Sequence, residues 1–434
     1  MRDPLASNLA TATEIRRQLY HELPQDHFLY SPLSQELVAR DELLEFSFSG
    51  AREVVSPRIP FVSYPDEWCN AQLIDAADLT LTVSEKVLPA RVEIKDASAW
   101  NIIFDGCKPV FCDHLSFQTI ESQRWWAFGQ YIRHFILPLC LAKYCDFEAR
   151  NSFKIDRDGV TPESARNLIG AKRFLTRYWL LMFEPWANHE STRLKSPVKG
   201  LQTHHKNLYA ITRWFLRGVA LSRLRQSTWL GYTEDRSHYS EAALHIKYKS
   251  VKAWLQRLAP TWVTDIGCNT GEFSKLAVSC GSKVVAVDSD HDSIQALYLS
   301  SKGQPVYPVV ANLEDLQGGR GWSGEEFPGL LARLNGHADI LLMLAVIHHL
   351  AISSSIPYER IANLAARMTK KYVIAELLDE TDQLVMHLAK QRNREAHEFT
   401  LQNQTEAFGR YFEIVEQIPL PGFTRTLVLM AKAT

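Results

Sequence analysis

Short apolar runs alternate with helical patterns through the C-terminal part of the chain. The first run, Trp262–Ile266, leads into a Gly-rich turn, a helical pattern from Glu272 to Ser279 and a second apolar run that ends in Asp288. Further runs of this kind begin at Asp339, Lys371, Phe412 and Arg425. Apolar runs of strand length that alternate with helices indicate a mostly parallel sheet covered on both faces. The predicted fold class for this part is therefore α/β.

The N-terminal half has a different pattern. An apolar helical pattern from Ala71 to Leu88 precedes two strand-like segments, 92–95 and 109–112, and residues 120–235 are mainly helical in pattern and rich in aromatic side chains. We therefore predict an α+β lobe at 1–120, a mainly helical substrate or lid region at 121–245 and the sheet domain at 246–434.

Composition limits the range of partners. A formal net charge of −1 over 434 residues gives no global field that would attract nucleic acid or an anionic membrane. No apolar run approaches the ~20 residues that span a bilayer, and the N-terminus lacks the apolar stretch of a signal peptide. The seven cysteines are scattered and form no Cys-x-x-Cys pair, a pattern typical of reduced thiols. We expect a cytoplasmic protein without a metal, a membrane contact or a nucleic-acid partner.

The turn after the first apolar run reads Asp265-Ile-Gly-Cys-Asn-Thr-Gly271. It resembles motif I of the class I S-adenosylmethionine (SAM) methyltransferases. Later segments are similar to that family in the same order: 311–315 to the loop after its third strand, 339–350 to its fourth strand and the motif that follows, and 425–430 to its last strand. The resemblance covers roughly residues 255–434. It implies a Rossmann-like sheet of seven strands, with SAM as the cofactor.

On this resemblance, the cofactor contacts surround the turn and the strand ends beside it. Asp265 is expected to meet the methionine amino group, and Asp288 the two ribose hydroxyls. Ser289, Asn312 and Leu313 are expected to frame the adenine. The other expected cofactor contacts are Gly267, Cys268, Asn269, Gly271, Phe273 and Ala345. At this position Cys268 is interpreted as a small side chain against the cofactor rather than as a nucleophile.

Two histidines are the candidates for moving a proton. The sulfonium of SAM is already activated, so the protein has to align the acceptor and remove a proton where needed. His348, just past the fourth strand, is the first candidate base and His349 the second, because a histidine with a pKa near 6.5 can accept a hydroxyl proton at neutral pH. The alternative is a structural role for both, in orienting the helix that follows.

The acceptor side is predicted from residues before and within the sheet domain. Trp229, Tyr232 and Tyr239 directly precede it, where aromatic side chains can form a lid that excludes water. Ordinary packing at the domain junction is an equal alternative. Glu376, at the end of the fifth strand, is expected to bind a polar acceptor or to close the sheet.

A second polar set lies in the N-terminal half. Lys95-Asp96, Asn101 and Asp113 resemble the catalytic loop of kinase-like phosphotransferases, in which one Asp serves as base while an Asn and a second Asp bind metal. No Gly-rich phosphate loop precedes them, so we interpret this half as a degenerate kinase-like lobe without phosphoryl transfer. The segment 59–68, this loop and the sheet domain together resemble a group of bacterial methyltransferases, some of them described as nodulation-type proteins.

The function predicted from these patterns is SAM-dependent methyl transfer to a hydroxyl, or an amine, of a small-molecule or carrier-tethered acceptor. Three alternatives remain: a methyltransferase acting on RNA or protein, a SAM-fold enzyme that does non-methyl chemistry such as aminocarboxypropyl transfer or cyclisation, and a SAM-binding scaffold without turnover. The identity of the acceptor is not encoded in any single motif.

Overall fold

The structure is a computed structural model that describes residues 14–19, 21–182, 200–220 and 240–433. The chain divides into two compact units, Met1–Leu224 and Arg225–Thr434. The division predicted near residue 120, inside the first unit, stays a prediction. The predicted lid residues Trp229, Tyr232 and Tyr239 lie outside the described residues.

A seven-stranded sheet forms the centre of the C-terminal unit. Its strands, in chain order, are β8 (Trp262–Ile266), β9 (Lys283–Asp288), β10 (Val306–Val310), β11 (Ala338–Met343), β12 (Thr369–Leu378), β13 (Phe412–Pro419) and β14 (Arg425–Lys432). They lie in the order β10-β9-β8-β11-β12-β14-β13. The first five are parallel, and β14 is antiparallel to both of its neighbours. This mixed α/β sheet confirms the predicted Rossmann-like class.

Helices connect and flank these strands. They are α8 (Glu241–Leu258), α9 (Glu272–Ser279), α10 (His291–Ser300), α11 (Leu330–Leu334), α12 (Tyr358–Met368), α13 (Gln383–Gln391) and α14 (Leu401–Gly409). Local chemistry explains where several begin. The Ser240 hydroxyl accepts the N–H of Ala243 at the start of α8, and the Asp290 carboxylate accepts that of Ser293 at the start of α10. All five residues of β10 are buried, as expected for an apolar strand inside a layered unit.

The topology brings five strand ends to one edge. Since β8 to β12 are parallel, their carboxyl ends meet along the same side of the sheet, which we call the carboxyl edge. Open sheets of this kind bind ligands at that edge, where the strand order reverses. Here the reversal falls between β8 and β11. The Gly-rich turn follows β8 and His348 lies shortly after β11, so the predicted residues fall at the position that topology favours.

The described residues of the N-terminal unit form three small sheets. A three-stranded antiparallel sheet has the order β1-β3-β2. Two further antiparallel pairs are β4 with β7 and β5 with β6. The seven strands are β1 (Glu14–Gln18), β2 (Ser47–Phe48), β3 (Glu53–Pro57), β4 (Val92–Ile94), β5 (Ile102–Asp105), β6 (Lys108–Phe111) and β7 (Phe117–Thr119). The two segments predicted as strands, 92–95 and 109–112, therefore lie in different sheets.

The described helices of this unit are α1 (Pro32–Ala39), α2 (Asn70–Val87), α3 (Phe128–Tyr131), α4 (Leu137–Tyr144), α5 (Ala149–Ile155), α6 (Pro162–Ile169) and α7 (Leu201–Ala220), and a π-helical turn, Ile132–Ile136, joins α3 to α4. Helix α2 packs against α4, α5 and α7. Arg213 on α7 is paired with Asp78 and Glu85 on α2. Among the described residues, no helix is both long and apolar enough to cross a membrane.

Candidate functional site

The Gly-rich turn after β8 folds back against the end of β9. Gly267, Asn269 and Gly271 have φ values of 71°, 49° and 81°. The N–H groups of Gly267 and Cys268 both donate to the Val287 carbonyl, at 2.9 and 3.2 Å. Glycine adopts such left-handed backbone without a steric penalty, and Asn tolerates it better than most residues. The alternation of these residue types therefore allows the tight turn.

Packing also requires two of the glycines. A Cβ atom at Gly271 would lie 2.3 Å from Cδ1 of Leu297, and one at Gly267 would lie 3.1 Å from Cβ of Val346. Gly271 thus lets α9 approach α10, and Gly267 lets the turn approach the segment after β11. The close approach brings the residues after β8 and β11 together at the carboxyl edge.

Asp288 ends β9 and supports the turn. Its Oδ2 accepts the Asn269 N–H at 2.7 Å, and its Oδ1 accepts the Asp290 N–H at 2.9 Å. A carboxylate offers about four acceptor positions, so these two bonds leave capacity for two hydroxyl donors. Burial raises the pKa of this carboxyl group, and the backbone N–H groups of Asp290 and Asn269 oppose the shift. The geometry fits the two hydroxyls of a ribose.

Asp265 is the more deeply buried acid of the site. It is 2% exposed, and its Oδ2 accepts the Ser274 hydroxyl of α9 at 2.6 Å. Burial raises its pKa to about 6, partly offset by the Ser274 hydrogen bond and the positive charge of Lys247. A buried carboxylate whose ionisation is costly gains most from a cationic partner. This environment suits the ammonium group of the methionine half of SAM.

Cys268 is buried and its thiol is not activated. Burial, with the negative charges of Asp288 and Asp265, raises the pKa of this thiol well above its usual range. A nucleophilic cysteine needs the opposite, a lowered pKa beside a cation or a helix N-terminus. The interpretation of Cys268 as a packing residue therefore has a physical basis.

The adenine side is more open. Ser289 and Asn312 are exposed and Leu313 is partly buried. The Asn312 side-chain oxygen accepts the Glu314 N–H at 3.0 Å and so caps the short helical turn after β10. The amide group can still donate from Nδ2 to a purine nitrogen. On the other side, Ala345 has a φ of 59°, and Phe273 lies under the ammonium of Lys247, 5.2 Å from its ring centroid.

His348 combines deep burial with two ring nitrogens that make no hydrogen bond. It is 2% exposed, and both Nδ1 and Nε2 lack a hydrogen-bond partner among the described residues. Burial, the neighbouring His349 ring and the charges of Arg425 and Lys247 hold the pKa of His348 well below its usual range. Leaving buried polar atoms unpaired costs about 1–3 kcal/mol each, so such a group requires an explanation.

His349 stacks beside it and is more accessible. The two ring centroids lie 4.2 Å apart. Burial lowers the pKa of His349, while the Glu314 carboxylate opposes this. The structure therefore brings both candidate histidines to the carboxyl edge, with different surroundings.

A buried charge cluster near His348 was not predicted from the sequence. It consists of Lys247, Glu376, Asp382 and Arg425, all at most 4% exposed. The Lys247 ammonium donates to Glu376 Oε2 at 2.5 Å, Arg425 NH1 lies 3.7 Å from Glu376 Oε1, and Arg425 Nε donates to Asp382 Oδ2 at 2.8 Å. Of these, only Glu376 was a predicted site residue. The available sequence signal was a lysine at the buried face of α8.

The kinase-like loop of the N-terminal unit uses its polar groups internally. The Asp96 carboxylate accepts the Ser98 N–H at 3.1 Å, and the Asn101 amide donates to the Asp96 carbonyl at 3.0 Å. Asp113 accepts the Leu115 N–H at 3.3 Å and lies 3.8 Å from Arg17. Within the described ranges, no group of three or more His, Cys, Asp or Glu side chains could hold a metal ion. A lobe without phosphoryl transfer remains our prediction.

Comparison with known proteins gives one extensive sequence relative. No family model matches the chain. Nodulation protein NoeA of Rhizobium meliloti (strain 1021) is 25% identical over 421 residues, which cover 91% of this chain and 87% of the relative. The predicted resemblance to nodulation-type proteins is thus found along nearly the whole chain.

Solved structures of methyltransferases resemble part of the chain. Magnesium protoporphyrin IX methyltransferase from Synechocystis PCC 6803, with bound SAM, is 14% identical, with a TM-score of 0.32 over 48% of this chain and 86% of that one. N-methyltransferase NodS from Bradyrhizobium japonicum WM9 is 12% identical, with a TM-score of 0.33 over 45% and 99%. The bifunctional kinase-methyltransferase WbdD is 16% identical, with a TM-score of 0.32 over 45% of this chain and 40% of that one.

Proposed function

We propose that this protein is a cytoplasmic SAM-dependent methyltransferase that acts on a hydroxyl, or an amine, of a small-molecule or carrier-bound acceptor. The observation that supports it most is the Asp288 carboxylate, held against the Gly-rich turn with acceptor capacity left for a ribose. Asp265, buried on the adjacent strand β8, provides the negative charge for an ammonium group. In this proposal the two acids bind opposite ends of SAM, Asp288 the ribose and Asp265 the ammonium of the methionine moiety.

The proposed chemistry asks little of the protein beyond placement and a proton acceptor. When bound, SAM supplies a methyl group already activated on a sulfonium. Asp288 and Asp265 fix the cofactor through its ribose and ammonium, which aligns the methyl group for in-line transfer. His348, neutral because its pKa is lowered, accepts the proton of an acceptor hydroxyl at a ring nitrogen.

The hydroxyl preference rests on His348. An alcohol or phenol is a poor nucleophile until its proton begins to leave, whereas a neutral amine already has a lone pair. A substrate hydroxyl has to give up its proton as the methyl group is transferred. The two buried ring nitrogens of His348, which have no hydrogen-bond partner among the described residues, can receive that proton. Amines are the second choice, since His348 could take the proton released after their methylation.

Calorimetric titration with SAM and with S-adenosylhomocysteine is the direct test of the cofactor site. We expect micromolar binding to the full chain and a loss on the order of 100-fold in Asp288→Ala, because hydrogen bonds to charged groups contribute roughly 1.5–3 kcal/mol each. The matched control is Glu413→Ala, which removes an exposed carboxylate on β13 of the same sheet. It should bind as the unaltered protein does.

Two outcomes would contradict the proposal. One is that the unaltered protein binds neither compound; the other is that Asp288→Ala binds both undiminished while keeping its fold by circular dichroism. If binding is found, a screen with methyl-labelled SAM identifies the acceptor. S-adenosylhomocysteine as the product supports methyl transfer, whereas methylthioadenosine would indicate aminocarboxypropyl transfer or cyclisation.

A further inference from the structure

Lys247 occupies an unusual place for a lysine. It lies on the buried face of α8 and is 4% exposed. Its ammonium contacts Glu376 at the end of β12 and lies 5.2 Å from the Phe273 ring at the start of α9. Its charge also acts on both Asp265 and His348. Lys247 is therefore the cation that stands between the Gly-rich turn and the end of the fifth strand.

A methionine moiety presents two charges to the protein, not one. Asp265 matches the ammonium, but the carboxylate beside it also needs a partner, because an unpaired charge in a buried site is expensive. In the described part of the C-terminal unit, the buried Lys and Arg side chains are Lys247 and Arg425. One of these two is the natural partner for a buried carboxylate at this edge.

The geometry distinguishes the two cations. The guanidinium of Arg425 is fixed by Asp382, with Nε 2.8 Å and NH2 3.4 Å from its carboxylate oxygens. Once two donors of the planar guanidinium are hydrogen-bonded, the orientation of the whole group is fixed. The ammonium of Lys247 sits on a flexible stem and has three N–H donors, so it can serve two carboxylates at once.

We propose that Lys247 binds the carboxylate of the methionine moiety, an inference that rests on the proposed function. Glu376 then remains held, because Arg425 lies beside its other oxygen at 3.7 Å. The sharing of Glu376 between two cations lets Lys247 turn partly toward the cofactor without leaving a buried carboxylate unpaired. Lys247 is thus a cofactor-binding residue on a helix that precedes the Gly-rich turn.

The test compares two ligands that differ in one group. They are S-adenosylhomocysteine and its decarboxylated analogue, which keeps the amino group and lacks the carboxylate. Calorimetry at pH 8 lies above the pKa of about 6 that Asp265 has beside Lys247. Because both ligands keep the amino group, a change in the ionisation of Asp265 affects both affinities alike and cancels in the preference. We expect the unaltered protein to prefer the carboxylate-bearing ligand by roughly 10- to 100-fold, as for a hydrogen bond to a charged group.

The preference should disappear in Lys247→Met and persist in part in Lys247→Arg. Lys249→Met, which removes an exposed lysine of the same helix, is the matched control and should keep the full preference. Removing Lys247 alone leaves Glu376 with less compensation and could prevent folding. The double variant Lys247→Met/Glu376→Gln removes both charges and allows the same measurement in a folded protein.

Each outcome separates the two levels of the proposal. If the unaltered protein binds neither ligand, the proposed function fails. If it binds both and the preference is unchanged in Lys247→Met or in the double variant, Lys247 is only a structural partner of Glu376 and the inference is wrong. An equal loss of affinity for both ligands would also overturn it, because that result indicates general disruption of the site.

Discussion

The carboxyl edge of the C-terminal sheet and the kinase-like loop of the N-terminal unit contain the same types of residue in different surroundings. Asp96 and Asp113 accept backbone N–H groups of their own loop, and Asp113 also faces Arg17. Asp265 is buried and Asp288 is half-buried, and although Asp288 also accepts two backbone N–H groups, the pKa values of both acids are raised. Asp96 and Asp113 stabilise the conformation of their own loop. The ionised forms of Asp265 and Asp288 are disfavoured by burial, and a bound partner that donates hydrogen bonds or carries a positive charge would stabilise them.

Two buried histidines, His134 in the N-terminal unit and His348 in the C-terminal unit, differ in the same way as the two pairs of acids. Burial lowers the pKa of His134 to about 3 and that of His348 well below its usual range. His134 accepts the Ala99 N–H at 3.2 Å, so its neutral ring has a structural purpose. Neither nitrogen of His348 has a partner among the described residues. A lowered pKa therefore does not identify a functional histidine, but the pattern of hydrogen bonds separates the two cases.

The largest effect is expected from removing the proton acceptor. With an acceptor found in the labelling screen, His348→Gln should lower kcat by about 10²- to 10⁴-fold, the usual contribution of general base catalysis, and leave S-adenosylhomocysteine affinity unchanged. His349→Gln, its stacked neighbour, should lower kcat by less than about tenfold. Steady-state rates and calorimetry measure the two quantities separately. Lost affinity together with an unchanged rate would assign His348 a structural role.

Sequence patterns were sufficient for the sheet because its signals are local. The strand Trp262–Ile266 and the helix Glu272–Ser279 have the predicted bounds, since an apolar run, a Gly-rich turn and an amphipathic segment adjoin there. The fifth strand was predicted at 371–376 and extends over Thr369–Leu378. Its first residues are polar or exposed. The length of this strand is therefore set by its pairing with two neighbouring strands, and not by its composition.

The candidate site was only partly predictable for the same reason. Asp265 and Asp288 follow from position, because Asp265 is the last residue but one of β8 and Asp288 ends β9, within one βαβ unit. The pairing of Lys247 with Glu376 joins residues 129 positions apart, and nothing near either residue announces the other. Nor does the sequence show that His348 is buried without a partner, since that depends on which side chains the folded unit brings to its ring.

A stability measurement sharpens the contrast between the two histidines. His134→Leu should lower the free energy of unfolding by about 1–3 kcal/mol, because the buried Ala99 N–H loses its acceptor. His348→Leu should be neutral or stabilising, because it replaces two unsatisfied buried nitrogens with an apolar side chain. Urea unfolding at pH 8 keeps both imidazoles neutral in the folded and unfolded states. Equal destabilisation by both substitutions would mean that His348 has an unrecognised structural partner.

The smallest predicted effect is a pH dependence of cofactor binding. Asp265 has to be ionised to meet an ammonium group, and burial raises its pKa to about 6. Affinity for S-adenosylhomocysteine should therefore be constant above about pH 7 and fall by roughly tenfold per pH unit once the pH drops below 6. The shift in the pKa of Asp288 has the same sign and would deepen the loss. Calorimetry between pH 8 and pH 5 measures this directly.

In Asp265→Asn the affinity should be lower at pH 8 and its dependence on pH flatter, whereas Asp113→Asn, in the kinase-like loop, should reproduce the pH profile of the unaltered protein. An affinity that stays constant down to pH 5 would show that Asp265 does not face the ammonium group, and the two sets of acids would then be alike in being structural.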